Sequence, residues 1–255
     1  MGVDEALLAG LGSGAPPTLR LYRWQGPWLS LGYAQTPTRE RVAACAAAGV
    51  GIVRRVTGGG AVLHGADLTY ALVAPAAALP AGLEGAYGVV TDALLAALAS
   101  LGVRAERAGA PPVPGVRAPG RPFDCFQGAA REEIRAGGRK LVGSAQRRSE
   151  GGVLQHGSIR LAPDPPDATA AAGLDPGAAT SLAQLGCPAP PEAVAEACVR
   201  SFAARLGVDL LAGRLTPAEE AFARARVASH LRDPLAAPLH GRARAVASRP
   251  PLGGR

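Results

Sequence analysis

Of the 27 basic residues in this chain, 26 are arginine and one, Lys140, is lysine. At an ordinary surface position either cation serves. A composition that has replaced lysine everywhere else keeps it here for a compact ammonium that a planar guanidinium cannot imitate. Fifteen residues upstream stands Cys125, in Phe123-Asp124-Cys125-Phe126. A lone cysteine commonly behaves as a small inert hydrophobe. This one sits where a proline- and glycine-rich stretch, residues 108–122, meets the next patterned segment. That stretch is expected to be a mobile loop. A neighbouring ammonium favours the thiolate, the reactive form of cysteine, so Cys125 and Lys140 together suggest covalent transfer through sulfur. Cys45, Cys187 and Cys198 fall within or beside helical patterns and read as structural.

A second group of candidates would hold a substrate. Thr57-Gly58-Gly59-Gly60 lies between two strand-like runs. Successive glycines let backbone amides approach a ligand and form an anion-binding nest. No Lys-Ser/Thr follows and no helix opens there, which excludes a phosphate-binding P-loop and the dinucleotide fingerprint. His64 follows the loop and is a candidate ligand contact. Gly143 and Ala145 keep their strand slim around Ser144, which suits close approach of a substrate. His156, in Leu154-Gln155-His156-Gly157-Ser158-Ile159, is either a base or a structural donor. No Gly-x-Ser-x-Gly elbow supports a serine nucleophile. His230 and His240 lie near the C-terminal end and read as bystanders.

The elements that must position these residues follow from periodicity. Residues 18–24 and 28–33 are strand-like and are expected to form a hairpin through Gln25-Gly26-Pro27. Thr38 should cap a helix that ends at Gly49. Strands follow at residues 51–56 and 67–73, and a helix at 84–101 carries Val90, Leu94, Leu95, Leu98 and Leu101 at helical spacing. Residues 132–136, 139–147 and 153–161 read as a three-strand meander, and 192–206 and 217–231 as amphipathic helices. Strands and helices mixed without strict alternation indicate an α/β (α+β) class with a mixed, largely antiparallel sheet. The expected organisation is a catalytic core over residues 1–165, a helical portion over 166–232 packed on it, and a disordered tail over 233–255.

Composition narrows the class further. The net charge is +7, which suits an acidic partner. Scarce aromatics, 4% of the chain, and the lack of a recognition motif argue against nucleic acid. No apolar run approaches the ~20 residues that span a bilayer, so no membrane partner is expected. Early charge excludes a signal peptide. The cysteines show neither paired nor metal-ligand spacing. A cytoplasmic protein with free thiols and no metal is the plain reading.

Arg54-Arg55-Val56-Thr57-Gly58-Gly59-Gly60-Ala61-Val62-Leu63-His64 with Asp67-Leu68-Thr69-Tyr70 resembles the signature of the biotin and lipoate protein ligase superfamily. Gly138-Arg139-Lys140-Leu141-Val142-Gly143-Ser144-Ala145-Gln146 and the stretch around His156 and Gly157 extend the similarity, which covers residues 4–161. The resemblance implies a sheet domain with a tunnel for an acyl chain, lined from Arg55, Gly58, Gly59, Gly60, His64, Gly143, Ser144, Ala145, His156 and Gly157. Cys125-Phe126, where ATP-dependent ligases carry an Arg/Asn-Asp motif, is similar to the octanoyltransferase branch related to lipoate-protein ligase A. In that branch the matching cysteine carries the acyl thioester and the matching lysine supports it. The implied donor is octanoyl-acyl carrier protein. The implied acceptor is a lipoyl domain or glycine-cleavage H protein, and no cofactor is required. An ATP-dependent ligase or a lipoyl-domain amidotransferase of the same superfamily are the alternatives. The segment after the cysteine, residues 127–134, departs from the family by lacking aromatics.

Overall fold

A computed structural model describes residues 1–109, 133–149 and 151–236. Cys125, most of the expected 108–122 loop and residues 237–255 of the expected tail lie outside the described residues. The elements are α1 (Gly2–Gly10), β1 (Thr18–Tyr22), β2 (Trp28–Leu31), α2 (Arg39–Ala47), β3 (Gly51–Arg54), β4 (Val62–His64), β5 (Asp67–Pro75), α3 (Gly82–Ser100), β6 (Glu106–Arg107), β7 (Ile134–Ala136), β8 (Arg139–Ser149), β9 (Gly152–Arg160), α4 (Pro166–Ala172), α5 (Pro191–Leu206) and α6 (Pro217–His230). The fold is mixed α/β with a largely antiparallel sheet, as expected.

The strands form two sheets. The larger has the order β1-β5-β9-β8-β7-β6, antiparallel throughout, and the smaller has β3-β2-β4. The expected meander β7-β8-β9 is present. The expected hairpin between β1 and β2 is not. β1 pairs antiparallel with β5, while β2 runs parallel to β3 and antiparallel to β4 in the other sheet. Gln25-Gly26-Pro27 therefore crosses between sheets. Alternating residues pair equally well with any partner strand, so the turn residues alone did not specify which.

Alternation along β5 divides its side chains between two jobs. Leu68, Tyr70, Leu72 and Ala74 join the main core with Val90, Leu94 and Leu98 of α3 and Val194, Ala197 and Phe202 of α5. On the opposite face Ala71 and Val73 meet Leu154 of β9 and Leu7 and Leu8 of α1. The large sheet is thus covered by helices on both faces. The small sheet has its own core, where Leu29, Leu31 and Leu63 pack on Cys45 of α2 and Ala168 and Ala172 of α4. Thr38 caps α2 through the amide of Arg41, as its sequence signal predicts. The capping box of Thr216 and Glu219 starts α6.

His230 is a correction to the reading of the sequence. It is buried, its Nδ1 lies 2.8 Å from the carbonyl oxygen of Arg54, and its Nε2 lies 3.1 Å from Glu5 Oε2. Arg226 Nε and Nη2 donate to the same carboxylate at 2.8 and 2.9 Å. Gly2 lets α1 approach α6 so closely that a Cβ there would meet the carbonyl oxygen of Ala223 at 2.7 Å. The C-terminal helix is in this way clasped to the N-terminal one and to the end of β3.

Burial would raise the Glu5 carboxyl, but the His230 and Arg226 hydrogen bonds outweigh it and bring it from 4.5 down to about 2. Above pH 4.5 the clasp is at full strength, and it weakens as acid protonates the folded-state carboxylate towards pH 2. Glu5→Gln should cost about 1 kcal/mol at neutral pH, a figure kept small because Arg226 is well exposed. Thermal melts of the two proteins at pH 7 and pH 3 should show the gap at pH 7 shrinking at pH 3; equal melting at pH 7 would refute the clasp.

Candidate functional site

The site lies where the edge of the small sheet meets the middle of the large one. A cavity there is lined by Ser30 of β2, Arg55, Val62 and His64 of β4, Thr69 of β5, Gly143, Ser144 and Ala145 of β8, and His156, Gly157 and Ser158 of β9, with Met1 alongside. Seven of the ten residues that the sequence suggests for substrate binding therefore line one cavity. Gly58, Gly59 and Gly60 do not line it.

The reason lies in the buried guanidinium of Arg55. Its Nε donates to Thr57 Oγ1 at 3.2 Å, and its Nη1 to the Ser30 carbonyl at 2.9 Å and Ser30 Oγ at 3.2 Å. Its Nη2 donates to the carbonyls of Gly58 at 2.9 Å and Gly60 at 2.6 Å. The glycine loop thus turns two carbonyls inward to this cation. Arg54 is buried as well and donates to the carbonyls of Gly32, Tyr33, Gln35 and Pro234. Each arginine ties loop to strand.

Arg55 also sets the direction of two hydroxyls. Ser30 Oγ accepts from Arg55 and lies 2.9 Å from His64 Nε2, and His64 Nδ1 lies 2.8 Å from Asp67 Oδ2. Thr57 Oγ1 accepts from Arg55 and lies 2.7 Å from His156 Nε2, and His156 Nδ1 lies 3.6 Å from Asp4 Oδ2. These are two parallel chains of arginine, hydroxyl, imidazole and carboxylate. At His64 the carboxylate lies within hydrogen-bond distance, favours a proton on Nδ1 and leaves Nε2 as the acceptor of the hydroxyl proton, whereas Asp4 is a charged neighbour of His156 Nδ1 beyond hydrogen-bond distance. Asp67 is itself fixed by the amide of Gly65 and the hydroxyl of Thr69, both at 3.0 Å. Burial alone would raise its carboxyl. The charge and hydrogen bond of His64 with the Gly65 amide instead lower it to about 2. Burial pushes the His156 imidazole below its ordinary value, against the pull of Asp4.

Local backbone makes this possible at one residue above all. Gly65 has φ of 135°, outside the range of ordinary side chains, and this bend brings Asp67 back to the imidazole three residues earlier. Packing explains another glycine. Tyr70, Gly157 and Ser144 stand opposite one another across β5, β9 and β8. Tyr70 crosses over Gly157 to place its hydroxyl 2.6 Å from Ser144 Oγ, and a Cβ at 157 would collide with the tyrosine ring. The slim stretch of β8 thus accommodates Tyr70 as well as forming cavity wall.

Lys140 is 2% exposed and lies off the cavity lining. Its ammonium donates to Glu133, which is also buried, and its carbonyl accepts the amide of Thr180 at 2.9 Å. Burying a lysine so fully requires a partner charge, and Glu133 supplies one. Sequence reasoning passed over Glu133, Ser30 and Asp67 as site residues. A signal existed for Ser30, the one polar side chain in Trp28-Leu29-Ser30-Leu31, and for Asp67, the one charged side chain in a buried strand. Among the described residues no group of histidine, cysteine and acidic side chains could hold a metal, and no helix is long and apolar enough to cross a membrane.

Residues 1–203 match the model of the lipoyl protein ligase A/B catalytic domain. The chain is 39% identical over 236 residues to octanoyltransferase LipM of Symbiobacterium thermophilum, covering 86% of both chains. It is 38% identical over 252 residues to octanoyltransferase LipM of Kyrpidia tusciae, covering 91% of this chain and 92% of that one. A solved lipoate-protein ligase A bound with ATP superposes with a TM-score of 0.72 at 24% identity, covering 88% of this chain and 87% of that one, a likeness of fold. By sequence and by architecture, the chain belongs to the lipoyl protein ligase A/B catalytic domain family.

Proposed function

We propose that this protein is an octanoyltransferase of protein lipoylation and that Cys125 carries the acyl group as a thioester. The observation that supports the reading best is its similarity to octanoyltransferases over most of both chains, at 39% identity. The donor is octanoyl-acyl carrier protein, and the acceptor is the lysine of a lipoyl domain or glycine-cleavage H protein. The net charge of +7 would favour encounter with an acidic carrier.

In the first half-reaction the Cys125 thiolate attacks the thioester carbonyl. The carbon–sulfur bond to the carrier breaks and its thiol departs. Lys140, held as an ammonium against Glu133, contributes positive charge that favours the thiolate. In the second half-reaction the acceptor amine attacks the enzyme thioester and leaves as an amide, returning Cys125. The thioester is already activated, so this scheme consumes no nucleotide. The acyl chain occupies the cavity between β2, β5, β8 and β9.

Intact mass after incubation with octanoyl-acyl carrier protein, in the absence of ATP, should show one added octanoyl group. Neutral hydroxylamine should remove it, and Cys125→Ser should not acquire it. Acyl transfer that appears only with free acid and ATP would replace this reading with a ligase. Lys140→Arg keeps the charge but forces a larger planar group into the slot beside Glu133, and should lower the transfer rate about 100-fold in a single-turnover assay. A variant as fast as the parent would remove Lys140 from the mechanism.

A further inference from the structure

The cavity opens towards one end of β8. Along that strand Leu141, Val142 and Gly143 are buried, Ser144, Ala145 and Gln146 are half-buried, and Arg147 is exposed. Alternation puts Arg147 on the same side of β8 as Gly143 and Ala145, two of the residues that line the cavity. Its Nη1 donates to the carbonyl of Val56 at 3.1 Å, so the side chain reaches from β8 to the start of the glycine loop. The loop follows the same gradient: Thr57 is buried, Gly58 half-buried and Gly59 exposed.

Two further segments meet at this rim. The amide of Tyr33 donates to the Thr57 carbonyl at 2.9 Å, and its exposed ring lies beside Gly58. Arg54 joins that segment to the end of α6, donating from Nη1 to the Tyr33 carbonyl at 3.2 Å and from Nη2 to the Pro234 carbonyl at 3.0 Å. This brings up Leu231, which is exposed, and Arg232. Burial, and then the charge of Arg232, lower the Arg54 guanidinium, so the second cation is close by. Among the described residues neither Arg147 nor Arg232 forms an ion pair. The carboxylate of Asp233, next in sequence, is turned to the amide of Leu235 at 2.9 Å.

Exposed apolar side chains beside unpaired cations suit an acidic protein surface. Both partners in acyl transfer are protein domains, but they bring opposite charges to the opening. The acceptor brings an ammonium, which Arg147 and Arg232 repel. The donor brings a neutral thioester on an arm joined to its domain by a phosphodiester, which a guanidinium binds through paired hydrogen bonds. Resting on the octanoyltransferase reading above, we propose that Tyr33, Arg147, Leu231 and Arg232 form the docking surface for the acidic acyl carrier domain of the donor.

Binding of octanoyl-acyl carrier protein is measured by biolayer interferometry on the full chain, in a Cys125→Ser background so that no acyl group is transferred meanwhile. Arg147→Glu and Arg232→Glu should each weaken it about 10-fold at low salt, through slower association, and flatten its dependence on salt. Arg232 makes no hydrogen bond among the described residues, so Arg232→Glu leaves the loops held. Tyr33→Ala should weaken binding through faster dissociation. Affinity for a lipoyl domain should be unchanged. A small neutral donor, the octanoyl thioester of N-acetylcysteamine, should acylate Cys125 equally in the parent and in the arginine variants, as read by intact mass. Carrier binding indifferent to both charge reversals would overturn the proposal. An equal loss of lipoyl-domain binding would do so too, by marking an indiscriminate basic face, as would an equal loss of acylation by the small donor, by marking a distorted cavity. A parent that binds the carrier through these arginines yet takes no acyl group from either donor would overturn the thioester reading and leave the docking surface standing.

Discussion

A guanidinium taken out of water must find acceptors for five N–H groups or destabilise the fold by several kcal/mol. Arg55 finds all five in the strand before it and the loop after it: the carbonyls of Ser30, Gly58 and Gly60 and the hydroxyls of Ser30 and Thr57. This one cation holds the glycine loop to β2 and orients the two hydroxyls that face His64 and His156. Much of the site's polarity follows from it. The loop carbonyls point inward because the charge attracts them, and the hydroxyl protons point away from it because their oxygens are already accepting.

The two sheets contribute unequally to the site. The large sheet supplies rigidity, since β5 and β9 pair along their length and are covered by helices on both faces. The small sheet supplies reach. Its strands β2 and β4 carry Ser30 and His64 to the face of β5 that presents Asp67 and Thr69. Because strand side chains alternate, the residues that fill the core and those that face the cavity come from the same strand without competing. Leu68 and Tyr70 point one way, Asp67 and Thr69 the other. A site assembled from strands resists the small displacements that weaken sites built on loops alone.

Lys140 shows why residue type and residue environment must be argued separately. Its uniqueness among 27 basic residues marks it from composition alone. What it does electrostatically depends on Glu133, seven residues away in sequence and brought alongside by the pairing of β7 with β8. A buried ammonium without that carboxylate would be costly, and the same ammonium at the surface would be screened.

The sequence by itself determined most of the longer elements and some of their ends, because these depend on local chemistry: apolar period, the Thr38 cap, the glycine at 49. It also singled out Lys140 and the residues of the glycine-rich and β8–β9 motifs, seven of which line the cavity. The pairing of the β7-β8-β9 meander was legible as well, but only the tertiary structure decided the partners of β1 and β2. The expected β1–β2 hairpin gave way to pairing of β1 with β5 because alternation suits either partner and the packing of whole sheets chooses between them. Tertiary structure likewise decided that His230 fastens α6 to Glu5 and Arg54, and that His64 meets a serine 34 residues upstream. A hydrogen bond between distant residues leaves no periodic trace in the chain; it exists only once loops have closed and the competing partners have been buried elsewhere.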